Sequence, residues 1–280
     1  MTTTQVLRRD TLASVAARIR SHIVDMCAGP EGGHLGGGLS CVEVLTSLYF
    51  SVLNVDPQRP DDPARDRFLL SKGHAAVALY ATLAERGFLP VEELAEYGRP
   101  GSRLMGHPVR AVPGVEMPTG SLGHGLALAC GFALAGRYAG HDSRSFVLLG
   151  DGELQEGSVW EAAIAAVSLK LDRLVAVVDR NGLQLTGTTE RIAPMEPLAD
   201  RWRGFGWAVR DVDGHDADQL AEHLAAAPWE PGRPSVLIAR TVKGRGLPFL
   251  AGRASSHYVT LSERNHARAT GALRTSDAAT

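Results

Sequence analysis

Cysteine is scarce. The three residues, Cys27, Cys41 and Cys130, are odd in number and far apart. They make no C-x-x-C pair, which removes zinc clusters and a disulfide framework from consideration and leaves them as small buried side chains of a reducing compartment. No apolar run approaches the roughly 18 residues of a membrane span. The opening MTTTQVLRRDTLA has no apolar stretch of the signal-peptide kind, so the expected location is cytoplasmic. Neither charge sign prevails: 29 Lys and Arg face 31 Asp and Glu, a formal net charge of −2, which argues against nucleic acid or an anionic membrane as partner. Any anionic ligand has to be held locally.

Apolar periodicity and turn residues predict alternating helices and strands. Leu7 to Met26 carries a helical stripe at Leu12, Val15, Ala16, Ile19 and Ile23, ending near Gly29-Pro30. A glycine-rich turn, Gly32 to Gly38, is expected next. Ser40 and Glu43 then resemble the start of a helix running to about Val52. Asn54 to Arg67 reads as a loop, Phe68 to Leu70 as a short strand, and Ala75 to Arg86 as a helix. Pro100 to Gly125 is dense in Gly and Pro, hence mostly loop, and leads into a small-residue helix, Leu126 to Tyr138. Ser145 to Leu149 and Leu174 to Val178 are unbroken apolar runs, as strands of a parallel sheet covered on both faces should be, with a helix from Glu153 to Lys170 between them. Strands at Trp207 to Val212 and Ser235 to Ala239, around a helix from Asp216 to Ala226, complete the alternation. The expected fold class is α/β, a doubly wound, mostly parallel sheet flanked by helices. Residues 1–265 are expected to form one domain, with 266–280 a frayed tail.

The first strand of the clear βαβ unit runs into Gly150-Asp151-Gly152, just where the helix starts. Such turns lie at the carboxyl edge of a parallel sheet, where ligands of open α/β folds bind. The flanking glycines permit a sharp turn and close approach, and the helix start offers free N–H groups to an anion. Asp151 cannot attract that anion itself; a carboxylate facing phosphate needs a cation between them, Mg²⁺ or Ca²⁺. The second strand ends in Asp179-Arg180-Asn181-Gly182-Leu183, which brings an amide oxygen (Asn181) and a backbone carbonyl (Leu183) toward the same ion. An Asp in a glycine turn, taken alone, also has a plain reading as turn chemistry.

The stretch GDGELQEGSVWEAAIAAVSLKLDRLVAVVDRNGLQLTG resembles the thiamine diphosphate (ThDP) motif of transketolases. GGHLGGGLSCVEVL, DRFLLSKGHAAVALYATLAERG, GSRLMGHP, GVEMPTGSLGHGL and TVKGRGLPF resemble further segments of that family, in the family's order. The likeness runs from about residue 10 to about residue 260 and is greatest to the N-terminal subunit of split bacterial transketolases.

The resemblance implies the ThDP-binding fold with its diphosphate-binding (PP) module, and a roster of site residues. His34, His107 and His257 would line the funnel to the thiazolium and bond substrate oxygens; His74 and His257 would approach the diphosphate. Imidazole suits the proton transfers such chemistry needs. Gly120, Ser121 and Leu122 would border the aminopyrimidine. Gly150, Asp151, Gly152, Glu153, Asn181 and Leu183 would hold the diphosphate and, through Asp151, Asn181 and Leu183, the metal. Glu156 and Glu161 match glutamates of the family's subunit interface; Glu156 falls on the stripe Trp160, Ala163, Ile164, Val167 and Leu171, whereas Glu161 reads equally as a solvated charge. His124 replaces the family's common Gln, and Ser256-His257-Tyr258 its usual Trp-His-Gly.

In the family, a glutamate that promotes cofactor activation lies in a following pyrimidine-binding domain, for which this chain has no room. The implied partner is therefore a separate C-terminal transketolase subunit, in an α₂β₂ assembly, acting on phosphorylated sugars. The implied reaction transfers a two-carbon ketol unit from a ketose phosphate to an aldose. Two alternatives stay open. One is a pathway-specific ThDP enzyme, acyloin-forming or 1-deoxyxylulose-5-phosphate synthase-like, suggested by Ser256-His257-Tyr258. The other is a degenerate structural or regulatory subunit, disfavoured by the joint presence of Asp151, Asn181 and all four histidines. GGHLGGG does not have the spacing or the preceding strand of a dinucleotide fingerprint.

Overall fold

The computed structural model describes residues 11–29 and 31–277. In chain order it contains α1 (Leu12–Met26), α2 (Leu35–Leu39), α3 (Val42–Ser47), β1 (Arg67–Leu70), α4 (Ala76–Arg86), α5 (Gly125–Tyr138), β2 (Ser145–Gly150), α6 (Gly157–Ser168), β3 (Leu174–Arg180), β4 (Leu183–Gln184), β5 (Gly187–Thr188), α7 (Thr189–Ile192), α8 (Leu198–Gly204), β6 (Ala208–Asp213), α9 (Ala217–Ala225), β7 (Ser235–Arg240) and α10 (Glu263–Asp277). The central sheet has the order β1-β2-β3-β7-β6, and all of its pairings are parallel. β4 and β5 form a small antiparallel hairpin.

Alternate residues of each central strand point to opposite faces, and both faces are covered. Phe146, Leu148, Val175, Val177 and Leu237 pack with α1, α3, α4 and α9 in one core; Val147, Leu149, Ala176, Val178, Val236 and Ile238 pack with α5, α6 and α8 in the other. Continuous apolar runs were the mark of strands covered in this way.

Local expectations fail in four places, each for a tertiary reason. The glycine run is not a turn: Leu35–Leu39 is a fully buried helical turn. Glycine is a poor helix former, but a Cβ at Gly36 would lie 2.6 Å from the backbone oxygen of Ser256. Close approach to the His257 segment decides that position. Ser40 does not cap a helix either; its hydroxyl donates to Asp179 Oδ2 at 2.6 Å. The helix expected from Glu153 is broken, with a 3-10 turn at Gly152–Gln155 and extended backbone at Glu156 before α6 begins. The tail expected to fray belongs to α10, which buries Ala269 and Leu273 against the core. The expected helix residues Leu7 to Asp10 lie outside the described residues, as do 278–280. Among the described residues no helix is long and apolar enough to cross a membrane.

Candidate functional site

Four strand ends converge at the carboxyl edge of the sheet. β1 leads into Ser71-Lys72-Gly73-His74, β2 into Asp151, β3 into Asn181, and β7 into Thr241-Val242-Lys243. The register sets Gly150 beside Asp179 and Arg180 beside Arg240. Lys72, His74, Asp151, Asn181, Leu183, Lys243 and His257 all line one cavity of about 360 Å³, together with Gly120, Leu122, Gly150, Gly152, Glu153 and Glu156. A larger cavity, of about 460 Å³, opens elsewhere beside His22 and Tyr97 and holds none of these groups. Chemistry, rather than size, singles out the first.

Asp151 accepts from Gly152 N at 2.8 Å and from Gly182 N at 2.6 Å. Its carboxylate thus touches the amide between the other two expected ligands. Asn181 is fixed in orientation: its Nδ2 donates to Asp179 at 3.1 Å and its Oδ1 accepts from Leu183 N at 3.0 Å. The amide oxygen, not the nitrogen, is the acceptor end. The Leu183 carbonyl accepts from the Lys243 ammonium at 3.3 Å, so that oxygen already faces a positive group. Among the described residues no three His, Cys, Asp or Glu side chains gather at one point. A cation here would rest on a mixed set of carboxylate, amide and carbonyl oxygens, which suits a hard ion such as Mg²⁺.

Three charged residues of the site escaped the sequence reading: Lys72, Asp179 and Lys243. Asp179 is fully buried and accepts from Lys72, Ser40, Thr241 and Asn181. Burial works to raise its carboxyl, yet Lys72 and the neighbouring donors outweigh it and hold the group below the usual carboxylate range. Lys72 in turn is raised, because Asp179 overcomes the burial that would lower it. Lys243 has no such partner; burial and Lys72 bring it down to about 8. Positive charge therefore collects beside glycine backbone, as an anionic diphosphate would require. Segment likeness around SKGH and TVKG was the available signal, unused for the lysines.

Arg180 was also unforeseen. Its Nη1 donates to Asp151 Oδ2 at 2.9 Å and to Thr189 at 2.6 Å, and its Nη2 reaches Glu190. Asp151 itself is raised by burial and by Asp179, with Arg180 pulling the other way.

The four histidines meet although they come from distant segments. The His34 ring lies 5.4 Å from His74, 5.9 Å from His107 and 5.3 Å from His257, centre to centre. Nδ1 of His34 is buried without a hydrogen-bond partner, which suits a ligand oxygen. Burial, reinforced by His257 and His107, lowers His34 to about 4; burial and Lys243 bring His257 to about 4 as well. His74 falls well below the ordinary value through burial and Lys72. These imidazoles are neutral at pH 7. A folded-state value below the unfolded one means that the unfolded chain binds more protons, so stability rises with pH across that interval. The melting temperature is expected to fall as pH drops from about 6.5 to about 4, and His34→Gln should flatten part of that decline in a pH series. An equal slope in the variant would assign the loss to other groups.

Other expected residues sit less centrally. Glu153 is buried, but its carboxylate is engaged by Ser71, Gly123 N and Gly150 N, so it ties the Gly120–Gly125 turn to the end of β2. Ser121 is exposed and outside the cavity lining. His124 is exposed and folds back on the Leu122 carbonyl at 3.0 Å. The α6 stripe is corrected: Val159, Ala162, Ala163 and Ala166 are buried, while Ile164 is 52% exposed. Glu156 and Glu161 are both exposed rather than buried, because the break at Glu156 shifts the helical face.

Comparison with known proteins agrees with this architecture. The family described as transketolase, thiamine diphosphate binding domain, matches residues 11–276. One of the two named subunits of an apulose-4-phosphate transketolase, from Phocaeicola vulgatus, is 42% identical over 249 residues, 89% of each chain. A 6-deoxy-6-sulfo-D-fructose transketolase subunit of a Clostridium species is 44% identical, over 82% of this chain and 84% of the relative. Among solved structures, transketolase from Leishmania mexicana superposes with a TM-score of 0.88 at 31% identity, covering 95% of this chain and 41% of its own.

Proposed function

Because the chain belongs to the transketolase family, as its thiamine diphosphate-binding domain, we propose that it is the N-terminal subunit of a two-component transketolase that moves a two-carbon ketol unit from a ketose phosphate to an aldose acceptor. The observation that carries this reading is the convergence of Asp151, Asn181, Leu183, Lys72 and Lys243 on one cavity beside four clustered histidines.

The donor set fits ThDP with Mg²⁺ (or Ca²⁺). Asp151, Asn181 and the Leu183 carbonyl would hold the metal; Gly150, Gly152, Lys72, Lys243, His74 and His257 would meet the diphosphate; Gly120, Ser121 and Leu122 would border the pyrimidine. When bound, ThDP supplies the electron sink that carbon–carbon cleavage beside a carbonyl requires. The chain's own part is binding, orientation and proton handling. Neutral His34 and His257 can accept a proton from a substrate hydroxyl or donate one to a carbonyl oxygen, with His107 at the rim. Glu153 acts indirectly, through the glycine turn.

A partner surface is supported by an uncovered strip of small and apolar residues. Ala127, Gly131 and Ala135 of α5 are exposed at helical spacing, as are Glu161, Ile164 and Ala165 of α6. The relative from Phocaeicola vulgatus carries the name of a transketolase subunit rather than of a whole enzyme. That favours a separate C-terminal chain carrying the pyrimidine-binding domain, in an α₂β₂ assembly in the cytoplasm. Glu156 and Glu161 then belong to that interface.

One observation favours a specialised substrate. Tyr258 packs edge-on against His34 at 4.8 Å, donates to the Glu31 carbonyl at 2.6 Å and stays 52% exposed. It puts an aromatic wall at the mouth of the histidine cluster. The deciding experiment mixes the chain with its partner subunit, ThDP and Mg²⁺, and supplies xylulose 5-phosphate or pyruvate with a panel of aldoses. Consumption of the ketose phosphate with release of the matching aldehyde phosphate is expected. Consumption of pyruvate instead would favour the synthase-like reading, and absence of ThDP binding with or without the partner would retire the enzyme reading.

A further inference from the structure

His215 takes no part in the chemistry above, yet it is tied to it. It stands in the turn between β6 and α9, with a side chain 8% exposed. Its Nε2 accepts from Val242 N at 2.8 Å, and its Nδ1 lies 3.1 Å from Glu43 Oε2. A ring nitrogen that accepts from a backbone N–H carries no proton, so the proton sits on Nδ1 and is donated to Glu43. Glu43, on α3, is itself buried and gripped from the other side by Arg20 of α1. A hydrogen-bonded line thus runs from α1 through α3 and His215 to the peptide that precedes Lys243.

The segment at its end is held at several points. Thr241 bonds Asp179, Gly244 N donates to the Gly36 carbonyl at 3.0 Å, and Gly252 N donates to the Lys243 carbonyl at 2.8 Å. The His215 turn also presses on it directly: a Cβ at Gly214 would lie 2.4 Å from Thr241 Cγ2. Lys243, alone among these residues, reaches into the cavity from here, with its ammonium 3.0 Å from His257 Nδ1.

We propose that His215 is a positioning residue for Lys243. Its Nε2 fixes the Val242 peptide, and with it the direction in which the ammonium is offered to a diphosphate. The Glu43–Arg20 pair holds the imidazole in the tautomer that leaves Nε2 free to accept. The inference rests on the reading of Lys243 as a diphosphate contact.

Side-chain length separates the two ends of the ring. Asparagine places its amide at the level of Nδ1 and glutamine at the level of Nε2. His215→Asn keeps a donor for Glu43 and removes the acceptor of Val242 N–H; His215→Gln does the reverse. ThDP dissociation constants are measured by calorimetry on the full chain paired with its partner subunit, with Mg²⁺ present. His215→Asn is expected to weaken ThDP roughly three- to tenfold, with His215→Gln within about twofold of wild type. At saturating ThDP, kcat and the sugar KM of His215→Asn should return to wild-type values. In a Lys243→Met background, His215→Asn should add no further loss, because the two act in series. Equal weakening by Asn and Gln, wild-type affinity in His215→Asn, or a loss that persists beside Lys243→Met would each overturn the proposal. If His215→Asn does not fold, Glu43→Gln serves in its place, since it frees the imidazole to turn; wild-type ThDP affinity there would overturn the proposal equally. Unchanged affinity in Lys243→Met alone would overturn the diphosphate reading of that lysine, and this inference with it.

Discussion

Asp151→Ala is expected to weaken metal-dependent ThDP binding by about a hundredfold or more, given that even residues one step removed from a metal cost 10–100-fold, while the fold stays in place. The variant removes the one carboxylate among the three proposed ligands, leaving two neutral oxygens to neutralise and orient a divalent cation. The fold should tolerate the change. Burial and the nearby Asp179 push the Asp151 carboxyl up, so its charged form is already held against a desolvation cost. Arg180, the group most exposed to its loss, keeps Thr189, Glu190 and Glu196 as partners. Calorimetry with ThDP, in Mg²⁺ and in chelator, reads the effect directly, and circular dichroism checks the fold. Wild-type affinity that still depends on Mg²⁺ would remove Asp151 from the ligand set.

Lys72→Met should have the opposite profile, a large loss of stability. Lys72 and Asp179 are 1% and 0% exposed and face each other across the ends of β1 and β3. Removing one partner of such a pair leaves a buried, uncompensated charge, which costs about 3–5 kcal/mol. For a chain of this size that corresponds to a fall of roughly 5–15 °C in melting temperature. The double variant Lys72→Met/Asp179→Asn should recover most of the loss, because no unpaired charge remains, yet should still bind ThDP poorly. The pH dependence follows from the directions of the two shifts. The depressed Asp179 contributes stability above its unfolded value of about 3.9, and the contribution is lost as pH falls through its lower folded value. The raised Lys72 contributes below about 10.4, and that is lost as pH rises through its higher folded value. A pair contribution that is flat across neutral pH and declines at both extremes is expected in wild type and absent from the double variant. A single variant as stable as wild type would show that the pair contributes nothing net.

Much of the site could be read along the chain because its two principal segments are each local. Gly150-Asp151-Gly152 and Asn181-Gly182-Leu183 follow apolar strands, and consecutive strands of a βαβ unit pair as neighbours, as β2 and β3 do. A turn after a parallel strand has nowhere to go but the carboxyl edge. The histidines were selected by the glycines beside them and by family likeness; nothing in their spacing said that His34, His107 and His257 would come within 6 Å or so of one another, and the ring distances belong to the fold.

What could not be read depends on partners far away in the chain. Lys72 looks like any lysine in a turn; it is an interior cation because Asp179, 107 residues later, is brought against it. The buried helical turn at Gly36 to Gly38 contradicts glycine's propensity, and closeness to Ser256 explains it. The α6 face was misjudged by counting from Glu153, since the backbone at Glu156 leaves the helix and restarts the phase.

Apolar runs, glycine turns and their alternation, all short-range properties, by themselves determined that this chain forms a parallel α/β sheet with an acidic turn at its ligand edge. The placement of β7 between β3 and β6, and therefore the arrival of Lys243 and His257 at the cavity, was decided only in three dimensions. The reason is physical: hydrophobic periodicity constrains which face of an element is buried, whereas the protonation and pairing of a charge depend on whichever groups the packing sets beside it.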